Sequence, residues 1–336
     1  MPKRIDFPGV VAKLKETYTG DTFSDDAHPF VFDKLKFADP IIAYAIASKN
    51  KGDEEKVSTG LHRILEEDPT LRFQRDEETK EMLLSGMGQV HLEVTLERLK
   101  RKFGVEVLMK TPKVPYRETI KVATRAQGKY KKQSGGRGQY GDCSLAIEPL
   151  PRGGGYEFAD KIVGGVIPQQ YRPAVEKGVV ETMKDGVIAG YPLVDIKVSL
   201  FDGSYHTVDS SEMAFKIAGS MALRKAVHEA RPILLEPIMK VEVIIPDETL
   251  GAVIGDLNSK RGRVQGVEPQ AGGNQKITAM VPMSEMLVYA NQLTSLTSGR
   301  GMYSMEFALY EELPSHLAQK IIAEREEQKK EKAEEK

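Results

Sequence analysis

A β-α-β-β-α-β rhythm occurs twice in this 336-residue chain and limits what it can fold into. In the first copy, residues 36–110, an apolar strand at Ile41 to Ala47 precedes a helix over Asp53 to Glu67. That helix carries Val57, Leu61, Ile64 and Leu65 on one face, and Asp68-Pro69 stops it. Leu71, Phe73 and Arg75 alternate with polar neighbours, and Met82 to Leu84 forms the next strand. A second helix, Gln89 to Lys102, ends at Gly104, a residue suited to a left-handed cap, before a strand at Val105 to Met109. The second copy, residues 236–312, places strands at Val241 to Ile245, Val264 to Val267, Ile277 to Val281 and Tyr303 to Leu309. Its helices are Leu250 to Leu257 and Ser284 to Leu296. One face of each such sheet needs a covering layer of helices, and the order given is that of the split βαβ, or ferredoxin-like, arrangement.

Residues 111–235 have a different rhythm. Tyr116 to Thr124 reads as a strand into a loop and Cys143 to Pro149 as the strand out of it. Further strands are expected at Tyr156 to Ile162 and Tyr191 to Phe201, with a turn at Asp202-Gly203. A helix is expected over Gln169 to Lys184. A longer one follows Asp209, which with Glu212 fits a capping box, and its Met213, Ile217, Met221 and Leu223 are expected to face the sheet. The whole is an α+β chain. Residues 1–35 hold one candidate strand, Val10 to Lys15, and no second layer. Residues 313–336 are Lys/Glu-rich; a short exposed helix is one reading, and fraying of the mixed-charge end is the one expected.

The loop between the first two strands of the middle unit carries the chemistry. Gly128 to Gly141 reads GKYKKQSGGRGQYG: Lys129, Lys131, Lys132 and Arg137 supply cations, Tyr130 and Tyr140 aromatic faces, and Gly135, Gly136 and Gly138 conformational freedom. No acidic residue lies between Glu118 and Asp142, although the net charge of the whole chain is -1. A local basic-aromatic segment in a neutral protein suits a polyanion with phosphates on the cations and bases on the rings. A solvated hairpin with turn glycines is the plainer alternative. SGGRG leads into a strand and lacks the Gly and Lys-Ser/Thr spacing of a nucleotide P-loop.

Other chemistry is sparse. The lone Cys143 excludes a disulfide framework and a cysteine-rich zinc site, and fits a reducing compartment. The histidines show no metal-ligand spacing. No signal peptide and no membrane-length apolar run are seen, so a cytoplasmic location without membrane contact is expected. His206, between strand and helix, suits either a base or a partner-contacting turn residue. Its nearness to Asp209, Ser210 and Ser211 resembles triad material, but helix capping explains Asp209 more simply. Ser85-Gly86-Met87-Gly88 suits either an anion at a helix N-terminus or plain packing.

Taken together these segments resemble the C-terminal part of bacterial elongation factor G, the ribosomal translocase. The likeness runs from Ala12-Lys13-Leu14-Lys15 and Thr19-Gly20-Asp21-Thr22, through Glu67-Asp68-Pro69-Thr70, Ser85 to Gly88 and Ser134 to Gly141, to Tyr205-His206 and Val208 to Phe215. The resemblance implies the end of β-barrel domain II at 1–35, ferredoxin-like domain III at 36–110 and domain IV at 111–235. Ferredoxin-like domain V follows at 236–312, with a charged tail at 313–336. Domain IV is then ribosomal-protein-like, with a left-handed βαβ crossover against the usual hand.

The resemblance also implies a module that contacts the ribosome (both subunits), tRNA, mRNA and ribosomal RNA as a monomer during translocation. The implied decoding-site contacts are Lys129, Lys131, Lys132, Ser134, Gly135, Gly136, Arg137, Gly138, Gln139, Tyr140, Ser204, Tyr205 and His206. Lys260, Arg261 and Arg263 are the implied RNA contacts of domain V. No catalytic, cofactor or metal residue is expected here; GTP and magnesium belong to a GTPase domain of a longer parent, of which this chain is expected to be a fragment. A ribosome-protection protein and a stand-alone RNA-binding or ribosome-associated factor are the alternative readings.

Overall fold

The computed structural model describes residues 17, 19–37, 39–50, 52–77, 79–133 and 138–334. The expected strand Val10 to Lys15 lies outside them.

The first copy of the rhythm comprises β1 (Ile42–Ser48), α1 (Glu54–Glu67), β2 (Arg72–Arg75), β3 (Met82–Gly86), α2 (Gln89–Phe103) and β4 (Val107–Lys110). Its sheet order is β2-β3-β1-β4, with every pairing antiparallel. Leu61, Ile64, Leu84, Leu92 and Leu99 are fully buried between the helices and the sheet. Gly104 adopts the left-handed cap at φ 69°, closing α2 through a hydrogen bond from its amide to Lys100 O. Lys100, Arg101 and Lys102 in the last turn suit the negative end of the helix dipole.

The middle unit is organised differently from the expectation at its start. Arg117–Ile120 is a short strand, β5, and the chain bends before β6 (Thr124–Lys132). β5 does not enter the hairpin; it pairs with a strand of the C-terminal sheet. The break arises because the amides of Lys121 and Val122 turn to Ala230 O. β7 (Gln139–Pro149), β8 (Tyr156–Asp160), α3 (Arg172–Asp185), β9 (Ile196–Ser204) and α4 (Glu212–Glu229) follow. The sheet order is β6-β7-β9-β8, with β8 and β9 parallel across α3. Asp202 and Gly203, expected as a turn, lie within β9 opposite Ser144 and Cys143.

The inner stripe of α4 is Ala214, Phe215, Ala218, Ala222, Leu223, Ala226 and Val227, all essentially buried. Met213 and Met221, expected to face the sheet, are exposed. Small residues take their place because the helix lies almost in backbone contact with its neighbours. A Cβ on Gly128 would sit 2.2 Å from Ala218 O, one on Gly141 2.4 Å from Ala214 O, and one on Gly178 of α3 2.0 Å from Lys216 O. Glycine at these positions sets the interlayer distance.

The C-terminal unit holds β10 (Pro232–Pro246), α5 (Leu250–Ser259), β11 (Arg263–Gln270) and β12 (Asn274–Pro282). The helix expected over Ser284 to Leu296 is two, α6 (Met283–Met286) and α7 (Tyr289–Thr297); the break puts Tyr289 wholly inside, edge-on to Tyr303 at 5.2 Å. β13 (Met302–Glu312) completes a sheet in the order β11-β12-β10-β13, the antiparallel pattern of the first copy. β10 runs across the expected boundary between residues 235 and 236, pairing with β5 over Pro232 to Leu235 and with β13 over Leu235 to Ile244.

The expected fraying tail is instead helical as α8 (Ser315–Glu334). Leu317, Ala318, Ile321 and Ile322 recur at helical spacing and pack with Ala189, Leu234, Tyr116 and Tyr191. The Arg325 guanidinium lies 4.7 Å from the Tyr191 ring centroid and donates to its hydroxyl at 3.1 Å. Enough apolar surface is buried there to overcome a charged composition.

Candidate nucleic-acid interface

The basic segment is a β-hairpin. β6 and β7 pair in unbroken register from Thr124 opposite Ile147 to Lys132 opposite Gln139. Lys129, Lys131 and Lys132 therefore project from a strand, with only Gln133 to Gly138 between the strands. Ser134, Gly135, Gly136 and Arg137 lie outside the described residues. Alternation turns Ala126 and Gly128 inward and leaves Arg125, Gln127, Lys129 and Lys131 exposed. Among the described residues, none of Lys129, Lys131 and Lys132 has a carboxylate partner; Lys129 Nζ lies 5.7 Å from the Tyr140 ring centroid.

A second segment, Tyr205 to Ser211, leaves β9 beside the hairpin end. Its Asp209 is not the helix cap: Ser211 is, with its hydroxyl accepting from the Ala214 amide at 3.2 Å. Asp209 instead joins the two loops. Its carboxylate accepts from the Gly138 amide at 3.0 Å, and its carbonyl accepts from the Tyr140 amide at 2.8 Å. Gly138 lies outside the left-handed region; its constraint is space, since a Cβ there would come within 3.0 Å of the Asp209 carboxyl carbon.

His206 Nδ1 accepts from the amides of Val208 and Asp209 at 3.3 and 3.2 Å, which places the proton of the neutral ring on Nε2. Asp209 Oδ2 lies 3.3 Å from the same nitrogen. His206 N donates to Ser210 Oγ at 2.9 Å, and the ring stands 6.5 Å from that of Tyr140. The loop thus presents its exposed histidine in a fixed pose.

Below these groups lies Asp142, 5% exposed. It accepts from Gln127 Nε2 and Ser204 Oγ, each at 2.8 Å, and Tyr140 Oη lies 2.7 Å from Ser204 Oγ. The structure therefore brings Lys129, Gly138, Gln139, Tyr140, Ser204, Tyr205 and His206 to one end of the sheet. Sequence reasoning missed the two carboxylates that hold them. Asp142 carried a signal, as the acid ending an acid-free run inside a strand, where aspartate is disfavoured. Cys143 beside it is fully buried, and burial pushes its thiol up to about 12, far from a nucleophile's range.

Residues 112–231 match the family model described as elongation factor G, domain IV; residues 37–111 match elongation factor G, domain III, and 233–321 the elongation factor G C-terminus. The chain belongs to the elongation factor G family. Its fold is similar to a crystal structure of a Thermus thermophilus protein, with TM-score 0.75 and 47% identity over 87% of this chain. That likeness covers 44% of the other protein, so the chain spans less than half its length. No GTP-binding domain is among the elongation factor G domains matched. Among the described residues there is no grouping of His, Cys, Asp and Glu able to hold a metal ion, and no helix long and apolar enough to cross a membrane.

The basic turn of the elongation factor G C-terminal region is internally occupied. Arg261, left-handed at φ 58°, makes a two-pronged contact with the buried Glu236 at 2.6 and 3.0 Å and reaches Glu285 at 3.0 Å. Lys260 pairs with Asp256 at 3.1 Å and Arg263 with Glu311 at 2.6 Å. These pairs give the turn a structural role; only Arg263 keeps a largely exposed side chain.

Proposed function

We propose that this chain is the ribosome- and RNA-contacting C-terminal module of a GTP-dependent translocase that moves tRNA and mRNA during elongation. The observation that carries the proposal is the joined tip of the middle domain. Lysines without carboxylate partners among the described residues and an exposed histidine are held on a β-hairpin and a neighbouring loop tied together by Asp209. Such a surface grips phosphate and shape without reading bases, as a factor serving every codon must. In this reading 36–110 and 236–312 are ferredoxin-like domains III and V, and 111–235 is domain IV with a left-handed crossover. In this reading the molecule acts as a cytoplasmic monomer. GTP and magnesium belong to the parent's GTPase domain. The RNA contacts are Lys129, Lys131, Lys132, Ser134 to Tyr140 and Ser204 to His206. Arg263 is the most available residue of the second basic turn.

The test is made in a full-length translocase carrying these domains. Replacing Lys129, Lys131 and Lys132 together with Gln should slow mRNA movement about tenfold or more and leave phosphate release within about twofold, because the hydrolytic machinery lies elsewhere. Rapid mixing on the same ribosomes reads both. Movement at the parental rate, or a loss confined to phosphate release, refutes the tip-contact role. The intact Ser134 to Gly141 and Tyr205-His206 segments favour a translocase over a ribosome-protection protein.

A further inference from the structure

We propose that the outer face of the β6-β7-β9-β8 sheet is a second RNA-binding surface, a track for the backbone of a single strand running from the tip along β6. This rests on the reading of the middle domain as RNA-contacting and shares Lys129 and Lys131 with it, but it extends the contact past the tip to Arg125 and Phe201. The helices α3 and α4 cover the side bearing Ala126, Leu145, Ile147, Val198 and Leu200. The opposite side faces away from both helices. On it, β6 places Arg125, Gln127, Lys129 and Lys131 in a row, all exposed. At two residues per step the row repeats at about 6.8 Å, comparable to the separation of successive phosphates in an extended strand.

The cations are oriented by rings. The Arg125 guanidinium lies 5.5 Å from the Phe201 centroid, and Lys129 Nζ 5.7 Å from that of Tyr140. Neither side chain has an ion-pair partner among the described residues. Cross-strand from Arg125 and Gln127, the middle strand offers only Ala146 and Ser144, so the floor between the cations and Phe201 is low. Asp142 on this face is buried and engaged by Gln127 and Ser204. The exposed Asp202 sits across β7 from the row, which directs a polyanion toward the β6 side. Positive charge with half-exposed rings selects unstacked bases over a closed duplex.

The experiment uses the full chain and a fluorescein-labelled oligouridine, read by anisotropy at several salt concentrations, with circular dichroism confirming that each variant is folded. Arg125→Gln should weaken binding about fivefold and reduce the salt slope by about 0.7, the value of one single-strand phosphate contact. Phe201→Leu should weaken it severalfold with the slope unchanged. If both variants bind as the parent does while Lys132→Gln weakens binding, contact is confined to the tip and the track is refuted, with the proposed function untouched. Tighter binding of an RNA hairpin duplex than of oligouridine also overturns it. If the unaltered chain binds neither RNA, the track and the RNA-contact reading of the isolated module both fall.

Discussion

Glu118 offers a direct test of how the middle domain is tied to the rest of the molecule. Its side chain is wholly buried, and its two carboxylate oxygens accept four backbone amides: Val187 at 2.6 Å and Ile188 at 2.9 Å on one, Ala189 at 2.8 Å and Tyr191 at 3.1 Å on the other. This concave set of donors shapes the segment on which α8 docks. Glu118→Gln keeps size and shape but replaces one acceptor oxygen with a donor, so two buried amides face an NH2 group. At about 1–3 kcal/mol for each buried donor left unmet, the loss is about 2–6 kcal/mol. That is a large share of a domain's ordinary 5–15 kcal/mol. Urea unfolding of the full chain should register it, and hydrogen exchange should show protection lost at residues 187–191 and in α8 before the β6-β7 hairpin. A variant less than about 1 kcal/mol weaker, with those amides still protected, refutes the assignment of Glu118 as the group that organises this segment.

Gly128→Ala should destabilise the chain by about 1–3 kcal/mol, because the added methyl meets the α4 backbone at Ala218 O and Ala222 N; Gly88→Ala, where a Cβ meets open space, is the control in the same thermal melt. Burial opposes ionisation of Asp68, but hydrogen bonds from Thr70 and His91 outweigh it and hold the carboxyl below its ordinary 3.8. Its contribution is therefore complete above about pH 4 and is lost as pH falls through the lowered value, so the stability cost of Asp68→Asn should be full at pH 7 and shrink steadily as acid is added below pH 4, read from urea midpoints. Cys143 should resist iodoacetamide at pH 8 in the folded chain and react only when urea exposes it, since burial raises its thiol to about 12; prompt alkylation without unfolding contradicts the packing described.

Much of the architecture was legible because periodicity and punctuation agreed. The stripe Val57, Leu61 and Ile64, the stop at Asp68-Pro69 and the cap at Gly104 each fix local structure through one physical rule, and all three hold. What was not legible depended on partners distant in sequence. Arg117 to Ile120 has ordinary strand character, and nothing local says that it pairs with β10 and not with β7. Asp209 satisfies the spacing of a capping box, but the Gly138 amide, 71 residues away, claims its carboxylate and leaves the cap to Ser211. Arg261 looked like free positive charge because Glu236 and Glu285 are 25 and 24 residues away in the chain. The α8 tail looked like solvated charge because its apolar stripe is short and its receiving surface is built by Glu118. At the tip, the cations and the histidine were legible as chemistry, while the geometry that unites them rests on carboxylates whose role only the fold reveals.

One consequence of β10 is mechanical. Its 15 residues extend roughly 50 Å at about 3.3 Å per residue, with Pro232 to Leu235 paired to β5, Leu235 to Ile244 to β13 and Ile238 to Pro246 to β12. A hinge would need a stretch of backbone free of ladder bonds, and this crossing has none: at Leu235 both neighbouring strands are engaged at once. A load that reaches the β5-β10 pair is thus carried into the C-terminal sheet as bending of a hydrogen-bonded beam. The lever arm is stiff, and the compliance of the molecule must lie elsewhere along the chain.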